Sequence, residues 1–503
     1  MSEFQLTISR WDVLVLLAYL LGSIGLGFWV GRGQRDLSDY MLGGRDLPWW
    51  ALLGSIISTE TSAVTFLSVP GLAFGTPGLA YSGNLTFLQL PFGYLVGRLV
   101  VVWLFLPHFF RGELFSAYEV LSRRFGGGVR QVASLLFLTT RTLADGLRLY
   151  LIALVVTKAT GLDISVSVVA VGLTTIGYTV FGGIRSVIWT DCLQFVTYLA
   201  GAIVAALVLM GQLPGGWHEF TDFASRYDKL RIIDTSFDPA LPYTLWAGLI
   251  GGMFVTMATH GADQLMVQRY LCARSQRDAA RALALSGMVI LLQFALFLMI
   301  GVGLAYFYSC FPPRVPFERG DQVFAAFIID HLPTGIVGLV LAAIFAAAIT
   351  SSLNSSATAF LNDLYLPLTK TELAPARQLW LGRALSALFG VAQIMVGIAA
   401  QELTKSVVDS VMAIAGFTTG IILGVFFLGI LSRRATQHGA LVGLVVGLAV
   451  MSAIFFGTKL AWPWYTIVGS STTFLTGLTI SLIWPDRAAD AETIDTVSVP
   501  NEA

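Results

Sequence analysis

Long apolar runs separated by short charged stretches dominate the chain. Nine runs contain no Asp, Glu, Lys or Arg, and they cover residues 13–31, 164–182, 241–262, 283–309, 334–361, 384–401, 410–432, 435–458 and 460–485. Four further runs, 49–74, 79–107, 130–157 and 187–212, are as apolar but contain a few charged residues. A helix needs about 20 apolar residues to cross the roughly 30 Å hydrocarbon core of a bilayer. The pattern therefore predicts thirteen membrane-spanning helices.

The composition agrees with a membrane protein. Of the 503 residues, 56% are hydrophobic and 12% are charged, and the mean hydropathy is +0.76. A soluble domain carries about 25% charged residues. The 30 basic and 30 acidic residues balance, so net charge gives no reason to expect a nucleic acid as partner. The expected partners are the lipid bilayer and a small-molecule solute, and no obligate protein partner is indicated.

Basic residues concentrate in alternate loops. If the N-terminus is outside, the loops at 32–47, 108–130, 263–281, 362–383 and 433–434 fall inside and contain most of the loop Arg and Lys. This positive-inside bias favours an external N-terminus and a cytoplasmic C-terminus. We expect one transmembrane domain over residues 1–485 of a cell membrane protein, in a bacterial inner membrane. The acidic tail at 486–503 is predicted to be disordered.

Two apolar runs contain polar and glycine-rich stretches that predict broken helices. The run at 49–74 contains Ser58, Glu60, Thr61 and Thr65 before Pro70, and the run at 241–262 contains Thr256, Thr259 and His260 between glycines. Broken helices at mid-membrane expose backbone groups that can bind an ion or a solute. Each break opens a block of five runs, 49–212 and 241–432, which predicts an inverted repeat. The alternative is that Ser, Thr and Gly only let helices pack closely.

Six segments, in this order, resemble the sodium:solute symporter family, which includes sodium–glucose, proline, iodide and sialic-acid carriers. They are SDYMLGGRDLPWW from Ser38, STETSAVTFLSVPG from Ser58, YEVLSRRFG from Tyr118, YTVFGGIRSVIWTDCLQF from Tyr178, GADQLMVQRYLCARS from Gly261 and AAAITSSLNSSATAFLNDLY from Ala346. The resemblance covers nearly the whole chain. It implies an all-α, APC-like core of two inverted five-helix repeats with alternating access, preceded by one helix and followed by two.

The resemblance implies a sodium site between the first and eighth core helices. The implied ligands are the carbonyls of Ser58 and Thr61, with Ala347, Thr350 and Ser351 when the eighth helix is aligned forward from GLVLAAIFAAAI. The last three share one helix face. Aligned backward from NSSATAFLNDLY, the hydroxyl pair falls on Ala347 and Ala348, because the chain is three residues shorter between the two anchors. We adopt the forward alignment because it keeps every ligand type.

The same deletion affects a second sodium site, which some relatives have beside the aspartate that matches Asp191. We therefore predict one coupling ion rather than two. For Asp191 itself two interpretations stay open. It is a helix N-cap that binds free N–H groups, or it is a second ion ligand or ion relay.

Five charged side chains fall within the apolar runs: Glu60, Arg98, Arg141, Asp145 and Arg148. Buried charges are costly in a membrane and usually functional. The spacing of Arg141, Asp145 and Arg148 predicts an ion pair on one helix face, with one positive charge in excess. A free guanidinium such as Arg141 would suit a carboxylate solute. Glu60 is a second solute-binding candidate and could equally neutralise Arg98.

In the sugar carriers that the chain resembles, the solute pocket is formed by four core helices. The matching candidates here are Thr65, Asn84, Gln89, Thr256, Thr259, His260 and Gln293. Thr65 replaces a glutamine of the sugar carriers, and a glutamate of their second core helix has no counterpart without a gap. Sugar and carboxylate solutes therefore both stay open. Helix packing is the alternative for His260, and hydrogen bonding between helices is the alternative for Asn84 and Gln89.

These features predict a secondary active symporter that couples inward sodium flow to uptake of a small organic solute. A proton-coupled or uncoupled carrier, in which Glu60 or Asp191 takes the place of the ion, is the alternative, and a membrane sensor is less favoured. No enzyme activity is expected, because the apolar runs contain no serine paired with His or Lys, no aspartate pair and no His-x-x-x-His pattern. Sodium is the only cofactor that we expect.

Overall fold

The computed structural model describes residues 9–61, 63–75, 82–313, 316–317, 319–348, 352–369, 373–402 and 407–485. Over these residues the chain is built of helices, and the only β contact is an isolated parallel bridge between Leu47 and Ala273. The prediction of an all-α fold is confirmed for this part of the chain.

The helices of the first half follow one another with short connections. They are α1 (Arg10–Val30), α2 (Leu37–Leu42), α3 (Trp49–Glu60), α4 (Ala63–Phe74), α5 (Gln89–Val100), α6 (Leu106–Phe109), α7 (Glu119–Phe125), α8 (Gly127–Thr160), α9 (Ile164–Gln212) and α10 (Gly216–Arg226). A π-helical turn, Val101–Phe105, joins α5 to α6. The second predicted run is thus divided into α3 and α4.

The second half begins with a π-helical turn, Ala247–Gly251. The helices that follow are α11 (Gly252–Gly261), α12 (Gln264–Leu271), α13 (Gln276–Cys310), α14 (Asp321–His331), α15 (Ile336–Ala348), α16 (Ser352–Ala359), α17 (Leu366–Thr369), α18 (Pro375–Ala399), α19 (Val407–Leu431), α20 (Gln437–Gly457) and α21 (Pro463–Ile483). Another π-helical turn, Phe360–Tyr365, joins α16 to α17.

Seven of the described helical segments are long and apolar enough to cross a bilayer. The number is eight if the bent pair Trp49–Glu60 and Thr65–Phe74 is counted as one span. The seven are Arg10–Val30, Thr86–Phe109, Thr179–Gln212, Gln276–Cys310, Pro375–Glu402, Gln437–Gly457 and Pro463–Ile483. α8 has 34 residues, or about 50 Å at 1.5 Å per residue, but it contains several charges. Ile164–Gly177 and Thr418–Leu431 are shorter apolar helices. The count of thirteen stays a prediction.

The first predicted break lies at Thr61. α3 and the helical stretch Thr65–Phe74 are bent by 60° to each other. Thr61 has φ −87° and ψ 89°, and its N–H donates the last bond of α3 to Ile57 O at 3.0 Å. The carbonyls in the last turn of a helix have no partner within it. The last carbonyls of α3 therefore have no partner within that helix.

The second predicted break follows α11. Ala262 leaves the helical region, with φ −132° and ψ −7°. The next residue, Asp263, accepts from Leu265 N at 2.8 Å and so caps α12. All eight residues of α12 are buried. The segment 263–281, which the sequence predicts as an inner loop, contains α12 and the first residues of α13, and its place on the inner side stays a prediction.

A third change of direction separates the predicted runs at 164–182 and 187–212, which form one assigned helix, α9. Gly183 interrupts it with φ 59° and ψ −165°, a conformation that glycine adopts readily. A Cβ at this position would lie 2.7 Å from Tyr40 O. The interruption at Gly183 therefore falls between the two predicted runs.

Apolar side chains lie on both the inside and the outside of the bundle. Two large buried clusters form the interior, one including Phe105 and Phe426 and the other Phe297 and Phe324. On the outer faces large apolar side chains are exposed, for example Trp103 at 78%. Exposed apolar surface of this extent is typical of contact with lipid.

Candidate functional site

A buried charge cluster lies beside the first break. Glu60, the last residue of α3, forms an ion pair with Arg98 of α5. Arg98 Nε donates to Ser286 Oγ of α13 at 3.0 Å. His260 Nε2 of α11 lies 3.5 Å from Glu60 Oε1. Four helices thus contribute to the cluster, and the interpretation that Glu60 neutralises Arg98 is confirmed.

Further solute-binding candidates lie around this cluster. Gln293 Nε2 donates to Thr61 Oγ1 at 2.7 Å, which ties α13 to the break. Thr259 Oγ1 lies 3.0 Å from His260 Nδ1. Thr65 follows the break in the first turns of α4 and is partly exposed. The structure therefore brings Glu60, Thr61, Thr259, His260 and Gln293 together, with Thr65 close by in the chain.

The candidate sodium ligands are described in part. Ser58 is 3% exposed, and its buried Oγ has no hydrogen-bond partner among the described residues. Its carbonyl belongs to the last turn of α3. Ala347 lies in the last turn of α15, which packs against α4. Thr350 and Ser351 lie outside the described residues.

Three of the candidates have structural contacts elsewhere. Gln89 donates to Tyr243 O at 2.9 Å and accepts from Asp234 N at 3.1 Å. Asn84 Oδ1 accepts from the N–H of Thr86, two residues on, at 3.0 Å. Thr256 is buried where α5 and α11 meet, so that a Cβ at Gly97 would lie 2.8 Å from its Cβ. These contacts fit the alternative of packing and hydrogen bonding between elements.

The charges of α8 are balanced. Asp145 Oδ1 lies 2.9 Å from Arg148 Nη1 and 3.9 Å from Arg141 Nη1, so the predicted ion pair on one helix face is confirmed. The one positive charge in excess on this helix face is present, but it is matched from outside the helix, because Arg141 also pairs with Asp263 at the second break. No local pattern indicates this contact, since the two residues are 122 positions apart.

Asp191 lies within α9, eight residues beyond the kink at Gly183. Its interpretation as a helix N-cap is therefore wrong. Its Oδ2 accepts from Ser55 Oγ at 2.5 Å and from Arg269 Nη2 at 3.0 Å. The Arg269 side chain is 0% exposed. The sequence pattern places Arg269 among the cations of a predicted inner loop. Nothing in its neighbouring residues indicates that it is buried and that Arg274 is exposed.

A buried polar network near Arg269 is also not predicted by the sequence pattern. Gln268 donates to Met41 O at 2.7 Å, to Asn354 Oδ1 at 2.7 Å and to Thr358 Oγ1 at 3.0 Å, and it accepts from Ser355 Oγ at 2.6 Å. These bonds hold α12 against α16 and the end of α2. Buried amides are usually bonded in this way because an unpaired buried donor is costly.

Broken helices, with ionisable and hydroxyl groups buried at the breaks, are typical of membrane carriers. Comparison with known proteins gives the class. The sequence model of the Sodium:solute symporter family matches residues 40–447. The human sodium/iodide cotransporter is 32% identical over 475 residues, covering 91% of this chain and 71% of that protein. The sodium/sialic acid symporter SiaT of Proteus mirabilis is 30% identical over 502 residues, covering 96% of this chain and 97% of that protein.

A solved structure agrees with these relatives. It is the substrate-bound outward-open state of a Na⁺-coupled sialic acid symporter, with 28% sequence identity and a TM-score of 0.86, covering 95% of this chain and 98% of that one. The chain belongs to the sodium:solute symporter family. It is thus a multi-pass membrane protein, and the family points to transport rather than to enzyme catalysis.

Proposed function

We propose that the protein is a secondary active symporter that couples inward sodium flow to the uptake of a small organic solute, a sugar or a carboxylate, by alternating access. Family membership supports the coupling. The observation that carries the proposal is the break at Thr61, where α3 ends inside the protein beside a buried charge cluster. An unwound segment of this kind offers backbone oxygens to an ion and side chains to a solute.

In this proposal the sodium ion binds between the break and the end of α15. Its ligands are the carbonyls of Ser58 and Thr61 with Ala347, Thr350 and Ser351. Neutral oxygens suit a monovalent cation, because they replace its water without adding charge. The buried Ser58 Oγ, which has no partner among the described residues, supports a polar ligand at this position.

We propose one coupling ion per transport cycle. A second sodium ion beside Asp191 would take that carboxylate as a ligand. Arg269, at 3.0 Å, already neutralises it, and Ser55 donates a further bond. The ion pairs of Asp191 and Glu60 also leave no free carboxylate for a proton-coupled mechanism at these residues.

The orientation follows from the positive-inside bias, with the N-terminus outside and the C-terminus in the cytoplasm. Arg269 is removed from that count because it is buried, but Arg274, Arg277 and Arg281 remain beyond α12. The basic loops of the protein then face the cytoplasm. We propose that the protein lies in a cell membrane, namely a bacterial inner membrane.

The test is uptake into proteoliposomes under an inward sodium gradient or an equal choline gradient. Radiolabelled glucose, myo-inositol, lactate and sialic acid are the probes. We expect sodium-dependent accumulation of at least one probe, with loss in the Thr350→Ala variant. Equal uptake in choline would contradict sodium coupling. Sodium dependence that survives in both Thr350→Ala and Ser351→Ala would contradict the forward alignment of the eighth core helix.

A further inference from the structure

The charges around the two breaks cancel in pairs. Among the described residues these pairs are Glu60 with Arg98, Asp263 with Arg141, Asp145 with Arg148, and Asp191 with Arg269. Each guanidinium therefore has a carboxylate in contact. Within the described part of the site, no guanidinium is left unpaired for a carboxylate or another anion to bind.

The accessible charge beside the first break is negative. The side chain of Glu60 is 17% exposed, whereas those of Arg98 and His260 are 1% and 0% exposed. Arg98 of α5 and His260 of α11 contact Glu60, and α13 packs against α3 and binds Arg98 through Ser286, so Glu60 lies among packed helices. A solute that enters beside the break meets a carboxylate first.

The pair also offers a donor. Arg98 uses Nε for Ser286 and Nη2 for Glu60, while Nη1 is buried and has no hydrogen-bond partner among the described residues. A buried donor without a partner is costly. A hydroxyl is the group that both donates and accepts, so one hydroxyl could donate to Glu60 and accept from Nη1 after a small movement of either side chain.

Charged solutes fit this pair poorly. A carboxylate cannot donate a hydrogen bond, and it would be repelled by Glu60. An ammonium cannot accept from Arg98, and it would add a positive charge to a cluster that is already neutral. A buried charge without its own partner is unfavourable in either case.

We infer that the transported solute is an uncharged, hydroxyl-bearing molecule bound by Glu60 and Arg98 together, and not an anion. This inference rests on the proposed symport function and chooses between its two solute classes. It also separates this chain from the relatives named above, whose names give iodide and sialic acid as their solutes.

The experiment measures thermal stabilisation of the purified full-length protein in sodium-containing micelles, with myo-inositol and glucose as uncharged probes and lactate as the anion. We expect an uncharged probe to stabilise the wild type and lactate to have no effect. Glu60→Gln should weaken the binding affinity for the uncharged probe by at least about tenfold, since a hydrogen bond to a charged acceptor is lost. The matched control is Glu113→Gln, an exposed carboxylate, which should change nothing.

Glu60→Gln also leaves Arg98 without a counter-charge. We therefore expect this variant to gain lactate-dependent stabilisation that the wild type lacks, and Glu60→Gln combined with Arg98→Gln to lose it again. Lactate binding by the wild type that Glu60→Gln leaves unchanged would overturn the inference, as would the absence of any effect of the uncharged probes. Stabilisation by sodium alone should persist in every variant, and its absence from the wild type would instead contradict the proposed function.

Discussion

The buried pair of Asp191 and Arg269 allows the sharpest stability prediction. Asp191→Asn removes the counter-charge of a guanidinium that is 0% exposed, although Arg269 keeps its bonds to Ser55 Oγ at 2.8 Å and Leu265 O at 2.6 Å. Breaking a buried pair on one side costs about 3–5 kcal/mol. That cost lowers the folding equilibrium constant by roughly two to four orders of magnitude.

The assay is reversible unfolding in mixed micelles, with Asp46→Asn as the control. Asp46 Oδ1 and Arg274 Nε lie 2.9 Å apart, close to the 3.0 Å of the buried pair, but their side chains are 65% and 55% exposed, so we expect a cost of at most about 1 kcal/mol. Replacing both buried partners, as Asp191→Leu with Arg269→Met, should cost less than the sum of the two single changes. Equal costs for Asp191→Asn and Asp46→Asn, or additive costs in the double variant, would refute the reasoning.

Three further predictions concern helix contacts and the segment that follows α10. Gly301→Ala should destabilise the protein by about 1–3 kcal/mol, because its Cβ would lie 2.0 Å from Pro70 O; Gly22→Ala, with nothing within 4 Å, should not, and unfolding of both variants checks this. Asp12 Oδ1 accepts from Gly335 N and Gly338 N at the start of α15, so Asp12→Ala should cost about 1–2 kcal/mol in the same assay, as loss of an N-cap does. Burial lowers the pKa of Lys229, which donates to Ala73 O and Phe74 O, from 10.5 to about 8. The unfolded chain therefore binds the extra proton between these pH values, and the free energy of unfolding of the wild type rises with pH. Thermal unfolding should show this free energy rising over that range relative to that of Lys229→Met. A constant difference between the two proteins would contradict it.

The features that depend on local pattern were predictable from the sequence. Apolar runs of bilayer length predict an all-helical membrane protein. The polar stretches predict broken helices, and the structure has breaks at Thr61 and Ala262. The spacing of Arg141, Asp145 and Arg148 gave the ion pair within α8, because residues three or four apart share one helix face.

The features that depend on distant contacts were not predictable. The pairing of Arg141 with Asp263 and of Asp191 with Arg269 joins segments far apart in the chain, and a charge pattern does not contain that information. The burial of Arg269 was missed for the same reason, because a short buried helix after a break has the composition of a polar loop. The five-plus-five repeat and the sodium ligands beyond Ala347 stay predictions.

The number of sodium ions bound per chain distinguishes one coupling site from two. Equilibrium binding of radiolabelled sodium to the purified protein should saturate at one ion per chain. Thr350→Ala should abolish this binding, whereas Asp191→Asn should leave the number of ions unchanged if the variant is folded. Two ions per chain with loss of one in Asp191→Asn, or no saturable sodium binding to the wild type, would contradict a single site at the break beside Ser58.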